Sequence, residues 1–147
     1  MENKTIPKIK LRFIFNFCND IEAIRNFYSD LIGMKETNYR NDEEWGWVVY
    51  NSDGFQIMWF RSGEMLPVID GWAVQPGYES GEYAITSWSI EVPKDSFEDI
   101  VARLKASGAR LFSMEPEWRQ DSYWGFTVMD PMGNTVELFY ESEEEVN

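Results

Sequence analysis

Asp130-Pro131-Met132-Gly133-Asn134-Thr135-Val136-Glu137-Leu138-Phe139 is the stretch that decides how this chain is read. Pro131 presets φ for a turn and Gly133 supplies a positive φ, so Asp-Pro-x-Gly-Asn predicts a tight turn feeding a strand. Side chains alternate along a strand: Glu137 and Phe139 share one face, while Val136, Leu138 and Tyr140 share the other. A lone carboxylate on an inward face costs free energy unless something pairs with it. Glu137 is therefore the first side chain that needs an explanation.

Working outward, the chain falls into two halves with one plan. Residues 8–17 (KIKLRFIFNF) read as a strand rich in aromatic and β-branched residues. Asp20 is the expected N-cap of a helix, with Ile21, Ile24, Phe27, Tyr28 and Leu31 at helical spacing and Gly33 closing it. Strands are expected over 34–40, 45–51 and 55–61, with turn residues between them. Residues 62–81 form a longer connection in which Trp72 is either a lid or an anchor. The plan then recurs. A strand is expected over 83–92 and an apolar helical stripe (Phe97, Ile100, Val101, Leu104) after a cap at Asp95, with Gly108 closing it. Further strands are expected over 109–113, 124–129 and 135–140, and residues 115–122 read as a polar, Trp-bearing loop. Asp20 and Gly33 recur as Asp95 and Gly108, both 75 positions on. Each half is therefore βαβββ, and this internal repeat is the strongest topological signal in the chain. The organisation expected is one domain over 1–147: a first module over 8–61, the connection, a second module over 82–141 and an acidic tail over 142–147.

Bulk composition narrows the function. The formal charge is −13, with no basic stripe to neutralise phosphates, which argues against nucleic acid. Such a charge suits a cationic ligand or simply an acidic surface, and part of it sits in Glu141, Glu143, Glu144 and Glu145. Cys18 is the single cysteine, so an intrachain disulfide and a thiolate zinc site are excluded; its place at a strand end suggests burial over reactivity. There is no apolar leader and no run long enough to span a bilayer, so a cytoplasmic location and no membrane partner are expected. The chain has no histidine, which removes Ser-His-Asp and Cys-His nucleophile systems and leaves a carboxylate, lysine or tyrosine as any general base. Seven tryptophans supply large rings that either fill a core or line a cavity for flat ligands.

Asn19-Asp20-Ile21 with Phe27-Tyr28-Ser29-Asp30-Leu31-Ile32-Gly33-Met34, then Ser89-Ile90-Glu91-Val92, Asp130-Pro131-Met132-Gly133-Asn134 and Glu137-Leu138-Phe139, together resemble the vicinal oxygen chelate superfamily of glyoxalases, extradiol dioxygenases and bleomycin-resistance proteins. The likeness spans nearly the whole chain. It implies an α+β fold in which two βαβββ modules form a half-open mixed-sheet barrel with helices outside and a ligand cavity inside, and it implies a homodimer. Metal-dependent members place ligands at four strand positions, which fall by spacing on Phe13, Met58, Ser87 (or Trp88) and Glu137. Of these only Glu137 is a ligand type, so neither metal nor cofactor is expected.

The resemblance then implies a metal-free branch that binds a small aromatic or cationic compound, such as an antibiotic, and does no chemistry. The residues expected to line its site are Phe13, Phe15, Phe17, Trp45, Trp47, Met58, Phe60, Ser87, Trp124, Glu137 and Phe139. Acidic residues at the mouth would favour a cation. Each has a plainer alternative. The phenylalanines could be core, Trp45 and Trp47 a dimer contact, Trp124 and Trp118 surface, and Glu137 a former metal ligand now paired with an arginine. Two other functions compete: a metal-independent isomerase, lyase or hydrolase with Glu137 as base and Tyr83 or Tyr123 as acid, and a non-catalytic regulatory module with a filled cavity. Asn16 stands out because the strand register puts it on the helix-covered face, where it needs a partner.

Overall fold

The computed structural model describes residues 5–76 and 80–142. Glu143, Glu144 and Glu145 of the acidic tail lie outside the described residues. The first half runs β1 (Phe13–Cys18), α1 (Ile21–Arg25), β2 (Glu36–Asn41), β3 (Gly46–Ser52) and β4 (Phe55–Arg61). The second runs β5 (Ser87–Glu91), α2 (Lys94–Ala106), β6 (Glu117–Arg119), β7 (Tyr123–Met129) and β8 (Thr135–Glu141). Each half builds one four-stranded sheet, in the orders β1-β4-β3-β2 and β5-β8-β7-β6. In both, the first strand pairs parallel with the last and the other pairs are antiparallel. No hydrogen-bonded strands join the two sheets among the described residues, so the barrel stays open.

Local chemistry explains most element ends. Asp20 caps α1, its carboxylate accepting from the backbone N–H groups of Glu22 and Ala23. The helix continues as a wider π-helical segment, Asn26–Ile32, and stops at Gly33, whose φ of 96° is left-handed. Asp95 behaves differently from its counterpart. Pro93 holds the cap position and Asp95 lies inside the first turn of α2 without a capping bond, where its charge complements the helix dipole. Strand extents also differ from the sequence reading. Residues 5–12 and 83–86 are outside any strand, and the expected strand over 109–113 is reduced to one bridge, Leu111 to Val128. The partner of β7 is instead β6, inside the stretch read as a loop.

One core serves both halves. The helix-covered sides of the sheets supply Val48, Tyr50, Trp59, Phe126, Val128, Val136 and Leu138, and the helices supply Ile21, Ile24, Phe97, Ile100 and Leu104. Trp59 and Trp88 meet at 6.2 Å between ring centres, linking the two modules. Arg103 Nε donates to Leu31 O at 2.8 Å, and the Tyr28 hydroxyl donates to Asp130 Oδ2 at 2.6 Å. Asp130 also accepts from the backbone N–H groups of Met132 and Asn134, so the Asp-Pro-Met-Gly-Asn turn is organised around it. The connection is strapped across that turn: Ile69 N donates to Met132 O at 2.9 Å. Gly133, with φ of 82°, is required there, since a Cβ would stand 1.8 Å from Ile69 O.

Candidate functional site

Each sheet has a second face, turned away from the helices, and the two are chemically unlike. On the first sheet, alternation along β1 sends Ile14, Asn16 and Cys18 to the helices and Phe13, Phe15 and Phe17 to the other side. Those three rings remain 40, 59 and 57% exposed. The strand register sets Phe15 beside Met58, Phe17 beside Phe60, and then Met58 beside Val49 and Phe60 beside Trp47. Ring centres lie 5.9 Å apart for Phe13–Phe15 and Phe17–Phe60 and 6.2 Å for Phe15–Phe60, so the rings form one connected surface. A groove of about 560 Å³ runs over this face, lined by Thr37, Asn38, Trp47, Val49, Gln56, Met58 and Phe60. That is the size of a small-molecule site. Its polar lining is uncharged, from Thr37, Asn38 and Gln56, and Trp47 Nε1 donates to Asn38 Oδ1 at 2.7 Å. No carboxylate lines the groove, contrary to the acidic mouth expected from the sequence.

On the second sheet the corresponding face is filled. The register that sets Phe15 beside Met58 here sets Ser89 beside Glu137, and Glu137 beside Thr127. Arg119 Nη1 donates to Glu137 Oε2 at 2.6 Å, with side-chain exposures of only 1 and 5% for the pair. The same nitrogen reaches Thr127 Oγ1 at 2.8 Å, and Nη2 reaches Glu117 at 2.7 Å. Ser89 donates to Glu137 Oε1 at 2.7 Å, and the Tyr123 hydroxyl lies 3.5 Å from Oε2. The connection covers this cluster. Thr127 donates to Gln75 Oε1 at 3.1 Å, Ala73 N donates to Thr135 Oγ1 at 2.8 Å, and Tyr123 donates to Pro76 O at 3.2 Å. Gly125 makes room for the guanidinium, because a Cβ there would lie 2.8 Å from Arg119 Nη1. Glu137 is thus not in apolar surroundings. Both its oxygens are engaged, which makes it an internal hydrogen-bond acceptor rather than a base open to substrate.

A divalent ion does not fit the four positions that the resemblance singles out. Phe13 and Met58 offer it no oxygen or nitrogen donor, and Glu137 already neutralises Arg119. The remaining residues named from the sequence divide between the faces. Ser87 and Phe139 sit on the filled side, with Phe139 packed on Tyr123 at 5.5 Å between ring centres. Trp45 precedes β3 and is exposed. Trp124 is on the opposite side of β7, towards α2, because it alternates with Gly125 and Tyr123; its ring packs at a tilt against Trp118, 5.6 Å between centres. It lines a separate surface groove of about 590 Å³ beside α2, where Lys105 is bonded to Glu115. Tyr83 is exposed and outside β5, which removes it as an acid partner for Glu137, while Tyr123 does reach the carboxylate. Trp72 is an anchor, stacked edge-on against Phe112 with the Arg110 guanidinium over it. Asn16 lies on the helix-covered side, as the register requires, and its Nδ2 has no hydrogen-bond partner among the described residues. Burial pushes the Cys18 thiol up to about 11, so it stays protonated and unreactive.

Comparison with known proteins bears on this arrangement. No curated protein matches the sequence. A glyoxalase/dioxygenase from Nostoc punctiforme has a solved structure that superposes with a TM-score of 0.67 at 18% identity, covering 97% of this chain and all of that one. A glyoxalase/bleomycin resistance protein/dioxygenase from Nocardioides gives 0.61 at 14% identity, covering 97% and 93%. The fosfomycin resistance protein FosX from Listeria monocytogenes gives 0.60 at 12% identity, covering 94% and 96%. At such identities the likeness is one of fold. The family described as a glyoxalase-like domain matches residues 12–139, which runs from the start of β1 into β8. With its paired βαβββ modules, the chain therefore belongs to the glyoxalase-like domain family, within the vicinal oxygen chelate superfamily.

Proposed function

We propose that this chain is a small-molecule-binding protein that sequesters a flat aromatic compound on the uncovered face of its first sheet, without a metal ion and without chemistry. One observation carries the reading: Phe13, Phe15, Phe17, Trp47, Met58 and Phe60 form a continuous, mostly aromatic surface beside a groove of ligand size, while among the described residues the corresponding face of the second sheet is filled by the Arg119–Glu137 cluster. Stacked rings favour planar conjugated molecules, and Met58 adapts to irregular edges. Large rings left in water are costly unless something covers them. Sequestration needs only affinity, and an antibiotic is one compound of this kind. A neighbour in fold is named as a fosfomycin resistance protein, which makes protection from a drug a reasonable role to test here. A second copy of the chain would flank the groove in a homodimer, since β1 is an edge strand and Ile6, Ile9 and Leu11 before it are exposed.

Intrinsic tryptophan fluorescence tests the proposal, because Trp47 lies in the groove. Titration with planar aromatic compounds, with a chelator present, should give saturable quenching that Trp47→Phe diminishes and Phe15→Ser abolishes. Quenching untouched by either substitution would place the ligand elsewhere, and binding that disappears with the chelator would overturn the metal-free reading.

A further inference from the structure

Resting on that reading, we infer that the groove selects an uncharged planar ligand carrying a lactam-like edge, an N–H beside a C=O, and that Gln56 is the residue that reads this edge. The argument begins with what is missing from the lining. Thr37, Asn38, Trp47, Val49, Gln56, Met58 and Phe60 include no ionisable side chain. The charged group next along the same face is Arg40, opposite Trp47, with its guanidinium 5.5 Å from the Trp47 ring centre. Arg40 is itself held by Asp42 at 2.6 Å and Glu44 at 3.8 Å. A cationic ligand would meet the guanidinium at the rim, where the Asp42 and Glu44 carboxylates are already engaged by Arg40.

The chain's formal charge of −13 pulls the other way, but only at long range. Over distances beyond about 8 Å it is screened at physiological salt, so groups in contact with the ligand decide.

The polar lining offers both donors and acceptors. Asn38 Oδ1 already accepts from Trp47 Nε1, which turns Asn38 Nδ2 outward as a donor. Gln56 lies opposite Phe13 and Asn51 in the sheet, and its side-chain amide makes no hydrogen bond to the described residues, so it can both donate and accept. The Gln56 amide can pair with a lactam edge by itself, the ligand carbonyl accepting from Nε2 and the adjacent N–H donating to Oε1. The apolar body of the ligand then lies along Val49, Met58 and Phe60. Neutral partners of this kind satisfy each other without the desolvation that an ion would need in such a groove.

Three compounds of one three-ring outline test this by calorimetry: 6(5H)-phenanthridinone, its N-methyl derivative and the N-methylphenanthridinium cation. The lactam should bind tightest. Blocking its N–H, or replacing Gln56 with Leu, should each weaken it by about three- to tenfold, the worth of one net hydrogen bond. Gln56→Glu, which keeps the size of the side chain and adds a carboxylate, should raise affinity for the cation and lower it for the lactam. Near-UV circular dichroism checks that each variant keeps its fold. If the cation matches or exceeds the lactam on the unaltered protein, or if Gln56→Glu leaves the ratio unchanged, the inference fails while the binding reading stands. If none of the three binds, or Phe15→Ser leaves binding intact, the underlying reading fails instead.

Discussion

The two sheets of this protein have one topology and opposite interiors. In the first, paired positions on the face away from the helices carry Phe15 with Met58 and Phe17 with Phe60. In the second, the matching positions carry Ser89 with Glu137, roofed by Gln75 and held by Arg119. The helix-covered sides, by contrast, merge into one core. Backbone pairing and helix packing therefore constrain one side of each module, and the other side is free to diverge. The first module presents an accessible apolar surface. The matching face of the second is internal structure, with an ion pair at its centre.

That contrast can be broken most forcefully at Arg119. Replacing it with Met leaves the Glu137 carboxylate buried and unpaired, and the expected loss is about 3–5 kcal/mol in urea unfolding. Combining Arg119→Met with Glu137→Leu should recover most of it, since a matched apolar pair removes the orphaned charge. If the double variant is no more stable than the single one, the second face is not a self-contained ion-pair site. Next in size is Gly133→Ala, which forces a Cβ into Ile69 O at a left-handed φ and unseats the strap that roofs the second sheet. About 3 kcal/mol is expected, with little change in ligand binding on the first sheet.

A smaller effect should come from the shared core under alkaline conditions. Burial, with the Asp130 carboxylate adding to it, holds the Tyr28 phenol well above its usual value of 10, and burial lifts Tyr50 to about 12. Both phenols keep their protons in the folded chain while the unfolded chain loses them near 10. The folded state then binds more protons, so stability is fully present below pH 10 and falls as pH rises through 10 and beyond. Urea midpoints measured from pH 8 to 11.5 should show that decline, and Tyr50→Phe should flatten it. The smallest effect on stability is expected at the first face itself. Phe15→Ser removes a ring that is already largely in water, at a cost of about 1 kcal/mol or less at concentrations where the chain is monomeric, yet it should eliminate binding of planar ligands. A large loss would mean that the rings are core after all.

How much of this was legible in the sequence follows from the range of each interaction. Local signals worked: the cap at Asp20, the stop at Gly33, the turn from Asp130 to Asn134 and the alternation that separates Glu137 from Leu138. The aromatic face of β1 was equally readable, since alternation alone groups Phe13, Phe15 and Phe17. Strand β6 was not. Its three residues lie between Pro116 and the left-handed pair Gln120 and Asp121, with composition typical of a loop, and only pairing with β7 makes them a strand. The partner of Glu137 was foreseen as an arginine but not identified, because the match of residue 119 with residue 137 depends on that strand. Alternation of Glu117 and Arg119 about Trp118 was the one hint available. Gln75 gave no local signal at all, being brought to Thr127 by the course of the connection.

The bare edge of β1 has a consequence for how the protein behaves in bulk. Phe-Ile-Phe-Asn-Phe is a short, uncharged, aromatic strand at the margin of its sheet, the kind of segment on which further chains can add. An excess of carboxylates over cations, 26 against 13, sets up a mutual repulsion that opposes such addition. Acidification removes that repulsion while leaving the strand unchanged. Turbidity and thioflavin fluorescence should therefore rise together as pH is lowered towards the carboxylate range, and a single lysine in place of Phe15 should keep the solution clear.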